Sequence, residues 1–356
     1  MNAQIAHRIE AFCARFGLQV PILLAPMAGA CPPSLSIAVA NAGGLGSCGA
    51  LLLSPEAIRR WVADVRATSN GAFQINLWIP DPAPTRDPEH EASLRRFLGD
   101  FGPEVPPEAA DAVPLDFEAQ CDALIACGAP IVSSIMGLYP PEFVMRLKAH
   151  GIAWFATVST VSEALAAEAA GADVVVAQGM EAGGHRGAFD PRRAEIEMAG
   201  LFALLPAVAD AVRVPVVATG GVADGRGVAA SLLLGASAVQ IGTGFLRSPE
   251  ARIAPPWAEA LGRTRPEDTH VTRAFSGRPG RSIATSYVRR AAEPDAPAPA
   301  PYPVQRGLTA AMRAEAQKMD DLDRMQAWAG QSAALARSEP AGHIVARLWR
   351  EAQALL

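Results

Sequence analysis

Eight short apolar runs recur along the chain, most of them followed by a turn and an alanine-rich stretch, and this alternation most narrows the folds open to it. The runs are PILLAPMA (21–28), LGSCGA (45–50), FQINLW (73–78), PIVSSIM (130–136), AWFATV (153–158), VVVAQG (174–179), PVVATGG (215–221) and AVQIGTGF (238–245). Nearly continuous hydrophobicity is expected of parallel strands buried on both faces. SEALAAEAAGA (162–172) and GVAASLLLGASA (227–238) read most clearly as helices, each ending in Gly-Ala before the next strand. Eight strand–helix units predict an α/β fold, a closed (β/α)8 TIM barrel. The alternative, an open doubly wound sheet, lacks its expected GxGxxG turn after the first strand.

The chain leaves this pattern twice. Residues 79–115 carry many prolines and charges and predict an insertion with a short helix; residues 247–304 are rich in Arg and Pro. Within the latter, AAEPDAPAPAPYP cannot form regular helix or strand. The tail from Arg306 to Leu356 reads as helical throughout. The expected division is a barrel over 1–78 and 116–250, with 79–115 and 251–356 forming a small, mostly helical cap at the barrel mouth.

A net charge of −5 gives no basic surface for nucleic acid. Five cysteines without CxxC spacing suit a reducing compartment and neither a disulfide frame nor a zinc site. The first 17 residues read as an amphipathic helix, not a signal peptide, and no apolar run is long enough for a membrane span. A cytoplasmic protein, monomer or homodimer, with small-molecule partners is expected.

In this fold chemistry gathers at the C-terminal strand ends, and phosphate binds between the loops after strands seven and eight. Both loops are glycine turns here: ATGGVADGRG, with Gly220 and Gly221, and QIGTGF, with Gly242 and Thr243. Their exposed N–H groups predict a site for a phosphorylated cofactor. Asn76 and Gln178, amides at the mouths of two strands, suit a flat heterocycle with carbonyl and N–H edges, or else are satisfied within the core. Met27 and Ala28, in APMA, would lie against one ring face. His185 sits in QGMEAGGHRG (178–187), outside any helical pattern, and is the candidate catalytic group. Glu181 reads as a loop brace that accepts backbone N–H bonds. Metal-ligand clusters, a GxSxG elbow and a Walker loop are absent from the sequence.

LLAPMAGA, NAGGLGSCGALLLSPEAI, FQINLW, AQGMEAGGHRGAF, ATGGVADGRG and QIGTGF, in unbroken order from about residue 20 to 250, resemble the bacterial class I nitronate monooxygenases, formerly 2-nitropropane dioxygenases. The resemblance implies FMN in a TIM barrel and oxidation of alkyl nitronates, typically propionate 3-nitronate, by O2 to a carbonyl compound and nitrite or related nitrogen oxides. It implies FMN contacts at Asn76, Gln178, Gly183, Gly221, Gln240, Ile241, Gly242 and Thr243, to which the glycine turns add Gly184 and Gly220. His185 matches the family's active-site histidine, either as base for a neutral nitroalkane or as a group that positions an ionised nitronate. Tyr302 is the best substrate-pocket tyrosine. The family's nearby lysine is missing, and Arg306 is the available substitute for carboxylate recognition. The rival implication is an FMN-dependent NAD(P)H reductase of the same superfamily, of the enoyl-acyl-carrier-protein or quinone type, which shares the EAGGH turn.

Overall fold

The computed structural model describes residues 2–356. Eight of its strands are parallel: β1 (Ile22–Leu24), β2 (Gly46–Gly49), β3 (Phe73–Trp78), β4 (Ile131–Ile135), β5 (Ala153–Val158), β6 (Val174–Gln178), β8 (Val216–Thr219) and β9 (Ala238–Ile241). Each falls within one of the eight apolar runs. Neighbours follow the order β1-β9-β8-β6-β5-β4-β3-β2, and a parallel bridge from Leu23 to Leu45 returns β1 to β2. Leu24 N–H donates to Leu45 O at 2.9 Å there, so the sheet closes into a TIM barrel.

Burial explains the composition of the strands. Val174, Val175, Val176 and Ala177 are all buried, because one face of β6 meets the helices and the other the barrel interior. The helices Val161–Ala169 and Gly225–Leu233 begin at Thr160 and Asp224, whose side chains accept the N–H groups of Glu163 and Gly227. The chain leaves them through Gly171 and Gly235, at φ +95° and +112°, where a side chain would be strained.

The insertion holds a helix, Pro88–Gly99, and a 3-10 turn, Pro107–Asp111. Leu94 and Leu98 pack with Phe275, Tyr287, Leu308 and Met312 from the C-terminal region into a second, smaller core. Residues 247–304 are more regular than expected. They contain helices Pro255–Leu261 and Ser286–Arg290 and an antiparallel hairpin of β10 (Thr269–Thr272) and β11 (Gly280–Ile283). β11 also pairs with β7 (Gly184–His185), so a loop of the barrel is stitched to the C-terminal region.

Two expectations for the tail are corrected. It is not helical throughout: α-helices cover Val304–Leu308, Ala310–Lys318 and Ala341–Gln353, while 319–340 contains only one 3-10 turn. In place of a helical ladder the segment makes local turns, and three consecutive N–H groups go to distant partners: Ala329 to Arg281 O, Gly330 to Thr243 Oγ1 and Gln331 to Glu181 O. Nor does all of 251–356 lie in the cap. Ala341, Ile344, Val345, Leu348 and Ala352 form a helical stripe in the barrel core. This helix meets Gly225–Leu233 so closely that a Cβ on Gly225 would stand 2.2 Å from Glu351 Cβ.

Candidate active site

The C-terminal strand ends surround a cavity of about 380 Å3, within the range of ligand sites. Residues at its wall come from most of the barrel: Asn76 and Trp78 from β3, Thr157 from β5, Gln178 from β6, Thr219 from β8 and Gln240 from β9. Met27, Ala28, Gly183, Gly184, His185, Gly220, Gly221, Gly242 and Thr243 join them. Two predicted residues stand apart. The Ile241 side chain is buried in the barrel core, leaving only its backbone for any ligand. Tyr302 lines a neighbouring cleft behind Trp78, not the cavity that holds His185.

The two glycine turns present a cradle of donors. Gly220 and Gly221 have φ of +105° and +72°, and among the described residues the N–H groups of Gly220, Gly221, Gly242 and Thr243 donate to no group. Successive free N–H groups in such turns form an anion nest. The helix that follows is not part of it, because Asp224 already caps its first turn through Gly227 N–H at 3.1 Å. A Cβ on Gly242 would come within 3.3 Å of Met27 Sδ, so this wall tolerates little added bulk. Gly183 is glycine for another reason: a Cβ there would lie 2.5 Å from Gly330 N, blocking the segment that closes the cavity. The donor set suits a phosphate beside a flat, polar heterocycle.

The amides differ in availability. Gln178 is committed to the loop: its Nε2 donates to His185 O at 3.2 Å and its Oε1 accepts Gly187 N–H at 2.7 Å. It therefore fixes the backbone that presents His185. Asn76 donates to Ser133 Oγ at 3.2 Å, and Gln240 Oε1 accepts from Gln74 at 2.8 Å, which leaves the Gln240 amide nitrogen free. Glu181 braces the loop, its carboxylate accepting Leu201 N–H at 2.9 Å.

His185 lies between two indoles, edge to face, with ring centroids 4.6 Å from Trp78 and 4.7 Å from Trp328. Its Nε2 is 2.7 Å from Ser276 Oγ. Desolvation by these neighbours, reinforced by Arg278, Arg306 and Arg313, lowers its pKa to about 3. The imidazole is neutral at physiological pH and a weak base, which departs from the ordinary value that the sequence argument for a base relies on.

The nearby guanidiniums differ among themselves. Arg278 forms a bidentate, buried pair with Asp81, at 2.5 and 2.7 Å. Among the described residues Arg306 and Arg313 line the cavity without a carboxylate partner: the Arg306 guanidinium donates to no group there, and Arg313 donates to Thr309 Oγ1, Gln326 Oε1 and Arg306 O. Burial lowers the pKa of both, Arg313 to about 10 with Arg306 adding to the effect. Two desolvated cations facing one cavity form a strong site for an anion.

Sequence reasoning did not single out Trp78, Ser276, Arg313 or Trp328. Trp78 was within reach, since Asn76 and Trp78 are two apart on one strand and so share a face. Arg313 and Trp328 reach the cavity, and Ser276 reaches the His185 ring behind it, only through long-range packing of the C-terminal region. No helix is long and apolar enough to cross a membrane, and no group of three potential metal ligands occurs among the described residues.

A family model for nitronate monooxygenase matches residues 10–351. A nitronate monooxygenase from Paraburkholderia phytofirmans is 39% identical over 341 residues, 94% of this chain and 93% of the relative. Among solved structures, a nitroalkane oxidase from Streptomyces ansochromogenes superposes with a TM-score of 0.86 at 35% identity, over 97% of this chain and 100% of the other. FabK from Thermotoga maritima does so with a TM-score of 0.74 at 28% identity, over 100% and 97%.

Proposed function

Because the chain belongs to the nitronate monooxygenase family, and is an oxidoreductase, we propose that it oxidises propionate 3-nitronate with O2, on FMN, to a carbonyl compound and nitrite or related nitrogen oxides. The observation that carries this reading is the pair Arg306 and Arg313, cationic and without carboxylates, beside a neutral His185. Bound FMN would supply the redox centre that takes up electrons from the substrate.

The residues of the chain divide the remaining tasks. Gly220, Gly221, Gly242 and Thr243 would hold the FMN phosphate through their N–H groups. Asn76 and the free amide of Gln240 would supply polar contacts to its ring, with Met27, Ala28 and Gly184 nearby. Arg306 and Arg313 bind the substrate as an anion and receive the carboxylate and nitronate charges. His185 orients the nitro group: with a pKa of about 3 it does not take the α-proton of a neutral nitroalkane efficiently, so the substrate enters already ionised. A bound anion offsets the arginine field and raises the His185 pKa from its free-enzyme value. Trp78 and Trp328 exclude water from this face of the cavity.

The likeness to FabK supports a second reading, an FMN-dependent NAD(P)H reductase, though at a lower TM-score than the nitroalkane oxidase. Oxygen uptake with propionate 3-nitronate, alongside anaerobic mixing with NADH and NADPH, separates the two. Rapid uptake without nucleotide bleaching of the flavin is the expected result. Bleaching without uptake makes the protein a reductase.

A further inference from the structure

Beside the reaction cavity lies a second cleft of about 590 Å3, between the insertion and the 302–304 segment. Only Leu51 and Trp78 line both. The Trp78 indole has His185 at 4.6 Å and Tyr302 at 5.7 Å between ring centroids, and Tyr302 belongs to the cleft. The Trp78 indole thus stands between the two spaces, and Leu51 borders both.

Their chemistry is opposite. The cleft is walled by Ile79, Pro82, Pro84, Val113, Leu115 and Phe117. Its charged groups are already paired, Asp81 with Arg278 and Arg86 with Glu91 and Asp111, and the Gln120 amide nitrogen donates to Ala50 O and Leu53 O. No unpaired charge is left to attract an ion, whereas the reaction cavity holds the half-buried Arg306 and Arg313, and the exposed Arg252, without carboxylates. An apolar chain whose anionic head sits among those arginines gains by entering the cleft, and the wall prevents it.

We propose that Trp78, with Leu51, is the partition that sets the longest substrate this enzyme accepts, and that the cleft behind it is an apolar subsite for the alkyl chain of longer nitronates when that partition is reduced. The proposal rests on the nitronate reading, so its test begins with binding and not turnover. Linear alkanoates of three to twelve carbons share the planar, monoanionic, two-oxygen head of a nitronate. They are titrated calorimetrically into the flavin-loaded enzyme, followed by kcat/KM for nitronates of the same lengths.

In the parent enzyme affinity rises with chain length and then stops rising where the chain meets Trp78. In Trp78→Ala the rise continues past that break, by about fourfold per methylene. Leu51→Ala moves the break in the same direction and carries the test if Trp78→Ala is poorly folded. Adding Ala83→Trp, at the cleft, to Trp78→Ala brings the break back. The same break in the parent, Trp78→Ala and Leu51→Ala overturns the proposal. A shifted break in alkanoate binding without turnover of any nitronate keeps the partition and rejects the nitronate reading instead.

Discussion

The barrel and the C-terminal region contribute different chemistry to one cavity. The strand ends offer neutral groups: glycine N–H donors, the amides of Asn76 and Gln240, and the Thr219 and Thr243 hydroxyls. The C-terminal region offers cations and aromatic walls, Arg306, Arg313 and Trp328, together with Ser276 behind His185. A cradle of backbone dipoles demands a rigid support, and parallel strands provide one. Guanidiniums aimed at a small anion need long side chains projecting from above, and packed helices provide those. In our account the barrel holds the cofactor and, through Trp78, limits substrate length, while the C-terminal region binds the substrate's charge, with the β7–β11 pairing joining them at His185.

The contrast is most sharply broken at the barrel turns. Gly242→Val should abolish FMN retention, because even its Cβ would sit 3.3 Å from Met27 Sδ and the branched side chain would fill the cradle. Flavin absorbance after desalting measures this, with circular dichroism to show that the barrel is intact; full occupancy would mean the phosphate lies elsewhere. Ile344→Ala probes the barrel wall built by the last helix. Truncating this buried side chain should cost about 2–5 kcal/mol in denaturant unfolding. A loss near zero would return that helix to the cap.

The strands were readable in the sequence because burial on both faces leaves runs such as VVVA with no polar position. The glycine turns were readable because their conformation excludes other residues, as at Gly220 and Gly221. The C-terminal region was not. Its β7–β11 contact joins His185 to Gly280, 95 positions apart, and no local pattern encodes such a pairing. Arg313, in the charged stretch RAEAQK, has the composition of a solvated helix face, and its burial follows only from where that helix docks. Residues 319–340 have helix-forming composition, but long-range hydrogen bonds override it. Gln178 shows the same limit: the sequence placed its amide at the mouth, and the structure spends that amide on the His185 loop.

His185→Asn is the milder test of the junction. FMN content should stay near that of the parent, while kcat/KM for propionate 3-nitronate falls about tenfold with the loss of one orienting contact. Its pH behaviour sharpens the result. The folded pKa, about 3, lies below the ordinary histidine value of about 6.5, so on acidification the unfolded chain takes up this proton first. Stability contributed by the neutral imidazole is therefore present above about pH 6.5 and is lost as pH falls toward 3. Thermal midpoints between pH 7 and 4.5 should fall further in the parent than in His185→Asn. Equal slopes would show that this histidine is not held neutral.

The division of labour itself is tested by the double variant Arg306→Gln/Arg313→Gln, through flavin content and kcat/KM for propionate 3-nitronate against ethyl nitronate. We predict full flavin occupancy and a loss of about 100-fold or more for propionate 3-nitronate, from two charge-assisted contacts of about 1.5–3 kcal/mol each, with a clearly smaller loss for ethyl nitronate. Loss of flavin, or equal losses for the two nitronates, would contradict the assignment of substrate charge to the C-terminal region.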